Sequence, residues 1–257
     1  MREQLRWITS LMVASLSWMC PPSVAAPLPF TWDPSQAVPG LGGSAFTADT
    51  ILREEFLRSV TQPDGSFVAS RILVVTGFSL NGNPVTPAGF GSSYGLYFDI
   101  VDTGVDHLPV SITFNSSDLI LKADPGNHNG AVSATSAGIG FANSGLTGTA
   151  DDITLATGSL AIAAAGLTAP VVQTFTPAPG QSGFFLSPAL DGSVSLESVN
   201  TTLGQLVVTR QPDGTTITTI DGGGFSTSQF VATPEPVSLV LLVTAVGGLV
   251  IVRRRKT

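Results

Sequence analysis

Cysteine is almost missing from this chain: a single one, Cys20, among 257 residues. It closes an apolar run near the N-terminus, so everything downstream lacks a thiol. That excludes disulfides, a thiol nucleophile and a thiolate metal site from the rest of the protein. Positive charge is nearly as scarce. Between Ala26 and Thr233 there are five basic residues (Arg53, Arg58, Arg71, Lys122 and Arg210) against sixteen acidic ones, a net charge of −11. Such a surface repels nucleic acid and anionic lipid headgroups and favours solubility and divalent cations, so nucleic acid is excluded as a partner. Aromatic platforms are few. Trp32 is the sole tryptophan beyond the N-terminal run, and Tyr94 and Tyr97 are the only tyrosines, which is thin for stacking against sugars. Gly, Ser, Thr, Val and Leu dominate instead. The composition is too apolar for disorder and too rich in Gly and β-branched residues for a helical bundle.

The two ends differ from the middle. Arg2 and Arg6 form a weakly basic start, Trp7 to Met19 is apolar, and Cys20-Pro21-Pro22 breaks the run before the small residues of Ser23-Val24-Ala25. This is the order of a secretory signal peptide read by the Sec translocon and signal peptidase. Cleavage after Ala25 is favoured over cleavage after Ala26, which would leave Pro27 next to the cut. A lipoprotein reading of Cys20 is disfavoured by bulky Trp18-Met19 before it and Pro21 after it. At the other end, Pro234-Glu235-Pro236 is stiffened by two fixed φ angles. Sixteen uncharged residues, Val237 to Val252, follow, and then Arg253-Arg254-Arg255-Lys256. As a helix the sixteen residues reach about 24 Å, short of a ~30 Å hydrocarbon core. The basic cluster stays cytoplasmic, its stems snorkelling across the shortfall.

Those tail residues resemble the PEP-CTERM sorting signal of Gram-negative bacteria. The resemblance implies that exosortase, a membrane-embedded protease, recognises the tail and removes it near the motif. It implies further that the protein passes through the inner membrane and is released, commonly in connection with exopolysaccharide. A second resemblance covers residues 44–232. Phe46-Thr47-Ala48-Asp49, Tyr94-Gly95-Leu96-Tyr97 and Asp151-Asp152-Ile153-Thr154-Leu155-Ala156-Thr157-Gly158 look like landmarks of flocculation-associated PEP-CTERM proteins. These are exported proteins that help cells aggregate, and the family implies no catalytic residue. Where that family reads a strand after Phe-Thr-Ala-Asp, this chain has the charged segment Arg53-Glu54-Glu55.

The sequence therefore divides into a signal peptide (1–25), a loose leader (26–43) with Trp32 and Val38 as plugs, a β-rich extracellular domain (44–232) and the sorting segment (233–257). Asp49 to Val60 reads as a helix or as a strand, since its apolar residues suit both periods. From Phe67 onward the pattern is strand and turn. Ile72-Leu73-Val74-Val75 reads as a strand buried on both faces. The tetrad Gln62-Pro63-Asp64-Gly65 recurs as Gln211-Pro212-Asp213-Gly214, each a tight turn. The second tetrad joins Leu206–Thr209 to Thr216–Ile220 as a hairpin, and Asp221-Gly222-Gly223-Gly224 reads as a linker toward the tail. The expected fold is all-β, an antiparallel β-sandwich or two packed sheets, between a signal helix and a transmembrane helix.

Candidate chemistry is sparse. Gly91-Ser92-Ser93-Tyr94-Gly95 fits the Gly-x-Ser-x-Gly nucleophile pattern, which needs a strand before it and a helix after it. Here prolines and glycines precede it and a strand follows, so it reads as a turn. His107 and His128 have acidic neighbours but no spacing that builds a triad, and His107 beside Asp106 reads as a loop ion pair. No enzyme is expected. Oxygen ligands for calcium are available in Asp99, Asp102 and Asp106, in Asp124, Asn127 and Asn129, and in Asp151 and Asp152. None has the one-three-five spacing of a calcium loop, and Asp and Asn are also simply good turn formers. The leading function is a structural protein of the extracellular matrix associated with exopolysaccharide and cell aggregation, in flocs or biofilms. The alternative is a secreted polysaccharide-binding module or polysaccharide-active enzyme on the same anchor.

Overall fold

The computed structural model describes residues 27–106, 112–130, 146–163, 171–187, 194–200 and 206–232. Its strands are β1 (Phe30–Trp32), β2 (Phe46–Ala48), β3 (Thr50–Thr61), β4 (Ser66–Leu80), β5 (Asn83–Val85), β6 (Tyr94–Asp106) and β7 (Ile112–Pro125). They continue with β8 (Ile153–Ala163), β9 (Val171–Thr174), β10 (Thr176–Pro177), β11 (Phe185–Ser187), β12 (Val194–Asn200), β13 (Leu206–Arg210) and β14 (Thr216–Ala232). Every pairing between strands is antiparallel. The all-β expectation holds, with a large sheet and a small one packed together. The signal and tail helices expected at 1–25 and 237–252 lie outside the described residues. Among the described residues no helix is long and apolar enough to cross a membrane.

The large sheet departs from an open sandwich. Its order runs β8-β7-β6-β4-β3-β14-β12-β9, and β9 then pairs back onto β8. Eight strands thus close into a barrel, which removes the long free edges an open sheet would leave. Alternation along each strand sends one set of side chains inward. Leu73, Phe98, Leu121 and Ile100 lie on matched registers of β4, β6 and β7 and are buried. The outward set includes Asp99 and Lys122, whose charged groups lie 3.7 Å apart. The interior is not wholly apolar: it also holds the buried charged side chains of Arg53, Glu55 and Asp102, with Arg71 paired to both carboxylates.

The small sheet, in the order β11-β1-β2, caps one end. Trp32 is its centre, 1% exposed, with Phe30, Phe46, Phe184, Phe185, Phe78 and Phe230 around it at ring separations between 4.7 and 6.2 Å. Edge-on aromatic pairs add about 0.5–1.5 kcal/mol each beyond the area they bury. The expected loose leader is therefore partly core: Trp32 plugs the barrel as anticipated, whereas Val38 is 61% exposed.

One local reading is decided and another is corrected. Of helix and strand, Thr50–Thr61 is strand, because β3 pairs with β4 along one edge and β14 along the other; its inward Arg53 and Glu55 find partners inside the barrel. Asp221-Gly222-Gly223-Gly224 is no linker. It forms an irregularity within β14, between Asp221 opposite Phe56 and Gly224 opposite Glu55. Gly222 has φ +71°, and a Cβ there would lie 2.9 Å from Glu54 Oε1 and 3.2 Å from the Phe56 ring, so glycine is what the close approach requires.

Candidate functional site

Strand alternation separates the first group of predicted ligands. Asp99 faces out toward Lys122, while Asp102 points into the barrel and is 1% exposed. Burial raises the Asp99 carboxyl, and Lys122 only partly opposes it. Inside, Arg71 lies 2.6 Å from Asp102 and 3.9 Å from Glu55. Burial works against the Arg71 charge, yet Asp102 and Glu55 outweigh it and hold the guanidinium above its ordinary value. Arg53 Nη2 donates to the carbonyl of Thr227 at 3.0 Å, and the guanidinium lies 5.7 Å from the centre of the Phe98 ring. Burial pushes Arg53 down to about 9. Asp102 is thus the buried counter-ion of Arg71, on the opposite face of the strand from Asp99. Asp106, at the far end of β6, joins neither Asp99 nor the acidic cluster below.

The second and third groups do converge. Asp124 ends β7, and Asp151 and Asp152 lie in the short 3-10 turn and cap just before β8. Because β7 and β8 are neighbours, a carboxylate oxygen from each of the three lies within 4.8 Å of the others. Asp124, 3% exposed, accepts the backbone N–H of His128 at 3.0 Å and of Asn129 at 2.7 Å. Asn129 Nδ2 donates to Asp152 at 3.1 Å, and the Tyr97 hydroxyl donates to the same carboxylate. Burial, then Asp152, pushes the Tyr97 phenol far above its ordinary value. Asn129 Oδ1 is buried beside this group without a hydrogen-bond donor. Asn127 lines a cavity beside this group, on the next turn. In left-handed backbone at φ 52°, it donates from Nδ2 to the Gly91 carbonyl at 2.9 Å and ties two turns together.

Three carboxylates and an amide oxygen are hard oxygen donors of the kind calcium takes. The cavity that Asn127 lines, of about 540 Å³, adjoins them, with Glu54, Phe56, Val74, Tyr97, Asp124 and Asn129 among its walls. Tyr97 is the member that sequence reasoning did not place here. The available signal was its position on β6, whose outward face leads past Lys122 to Asp124, but only the strand register reveals it.

The serine motif lies on the turn entering β6, with Gly91 at φ 77° and the Gly91 N–H bonded to the Tyr94 carbonyl at 2.9 Å. A strand follows it, so no nucleophile elbow forms. His128 lies beside Asp124, and its backbone, not its ring, makes the contact recorded there. His107 lies outside the described residues, as do the signal-cleavage residues Ala25 and Ala26, the motif Pro234-Glu235-Pro236 and the basic cluster Arg253–Lys256. No family model matches the chain, and no characterised protein or solved structure matches it either.

Proposed function

We propose that this chain is an exported, exosortase-processed protein of the extracellular matrix, associated with exopolysaccharide and cell aggregation, with the barrel as its cargo. One observation carries the reading: Pro234-Glu235-Pro236, sixteen uncharged residues and Arg253-Arg254-Arg255-Lys256 follow one another without a spacer. The export signal ahead of Pro27 supports it, as does an acidic middle between two basic ends. Signal peptidase cuts after Ala25, the inner membrane holds the intermediate by its tail, and the processed barrel is released to the surface. Its role there is binding and not catalysis. Asp124, Asp151 and Asp152 supply a calcium site through which weak contacts to acidic polysaccharide are bridged.

Intact mass of the extracellular form tests the processing. The expected species begins at Ala26 and lacks Arg253 to Lys256; a released species that still carries the terminal arginines refutes it. Chelation tests the bridging, since aggregates that persist unchanged in excess chelator rule out a cation. The cavity beside Tyr97 favours a second reading, a discrete saccharide-binding module. Incubating the domain with the producing cell's polysaccharide and scoring binding against new reducing ends separates module, enzyme and matrix protein.

A further inference from the structure

The backbone N–H of Leu28 donates to the carbonyl of Phe230 at 2.8 Å, an antiparallel bridge between the start of the exported chain and the end of the last strand. Both ends of the described domain therefore leave the barrel side by side, at the end closed by the β11-β1-β2 cap. The cap strands are themselves poor in charge. Asp49 just after β2 and the group Asp124, Asp151 and Asp152 flank them at the same end of the barrel, where Gly42 lies against Ser93 and the Ser93 carbonyl accepts the Gly126 N–H. Residues 27–48 contain one ionisable side chain, Asp33, and residues 174–187 contain none, within a middle region of net charge −11. The Asp33 carboxylate is already engaged by the N–H and hydroxyl of Ser35, at 3.0 and 2.6 Å. On this same charge-poor cap Val38 and Leu186 are 61% and 51% exposed. They lie on neighbouring pieces, because the Val38 N–H donates to Gln181 Oε1 at 3.0 Å and Gln181 immediately precedes the turn leading into β11.

From these positions we infer that the cap is a membrane-contacting surface, seated on the phospholipid headgroups while the tail is uncut. The inference rests on the tail reading proposed above and adds an orientation to it. The leash sets the distance: five residue steps separate Ala232 from Val237, at most about 17 Å when fully extended. The protruding Val and Leu, held that close to the bilayer, gain from leaving water. The opposite end carries the twin turns, where the Cβ position of Gly214 lies 3.3 Å from Pro63 and Asp64 and Asp213 are exposed. Val207 pairs with Thr219, thirteen residues back along β14 from Ala232, or about 40 Å away.

The test uses the full chain with Cys20→Ser and a single new cysteine from Val38→Cys, Leu186→Cys or Val207→Cys, each carrying a fluorophore. The proteins are reconstituted in phosphatidylethanolamine–phosphatidylglycerol vesicles containing a headgroup-attached nitroxide quencher. The expected result is strong quenching at 38 and 186 and the lipid-free level at 207. Equal quenching at the three positions, or more at 207, overturns the orientation while leaving the anchor intact. A chain that does not float with vesicles in any variant refutes the anchor itself, and the contact surface with it.

Discussion

Replacing Asp102 with Asn is the sharpest test of the barrel interior. The two side chains have nearly the same shape, so the change removes a charge without opening a cavity. In the folded protein Asp102 is 1% exposed and 2.6 Å from Arg71, whose other carboxylate partner, Glu55, lies at 3.9 Å. The four interior groups Arg53, Arg71, Glu55 and Asp102 balance in charge; Asp102→Asn leaves them at +1 with Arg71 desolvated. Removing one member of a buried pair costs about 3–5 kcal/mol, and the remaining Glu55 places this case near the lower bound. With a urea dependence of about 2 kcal/mol per molar, the unfolding midpoint of the 27–232 segment falls by roughly 1.5 M. Arg71→Met combined with Asp102→Leu removes both charges, and its stability returns to within about 1 kcal/mol of the original or exceeds it. A midpoint unmoved by Asp102→Asn refutes the buried pair. A double variant no better than the single one refutes the charge account of its cost.

Trp32→Ala is expected to cost about 3–5 kcal/mol, read as a lower melting temperature, because the cap closes around that ring; an unchanged melting temperature makes residues 27–43 a true leader. Tyr94 and Tyr97, the only tyrosines, both ionise above their ordinary value, by burial for Tyr94 and by burial and then Asp152 for Tyr97. An acid whose pKa is raised on folding stabilises below its unfolded value, about 10, and loses that contribution as pH rises through the folded one. The native protein therefore shows little tyrosinate absorbance at 295 nm near pH 10, and both phenols appear on unfolding. Asp64 and Asp213 are held below the usual carboxylate range by hydrogen bonds, from the Ser66 hydroxyl and then its N–H, and from the Thr215 N–H and then its hydroxyl. Their contribution is present above the unfolded value and lost as pH falls through the folded one. Asp64→Asn and Asp213→Asn accordingly flatten the acid limb of a stability–pH curve, which a urea series from pH 2 to 6 measures.

Composition and turn chemistry by themselves determined the strand content, the tight turns at Gly65 and Gly214, the buried run Ile72–Val75 and the absence of any thiol chemistry beyond Cys20. These are local matters, settled by side-chain alternation and by where the backbone can bend. Tertiary pairing decided the rest. Closure through β9 and β8, the seating of Trp32, and the meeting of Asp124 with Asp151 and Asp152 all join residues far apart in the chain. Strand register turned Asp102 inward to Arg71 and Asp99 outward to Lys122, three positions apart on one strand. The charges of Arg53 and Glu55 obscured β3, because a strand with charged inward positions is intelligible only once its partners across the barrel are known.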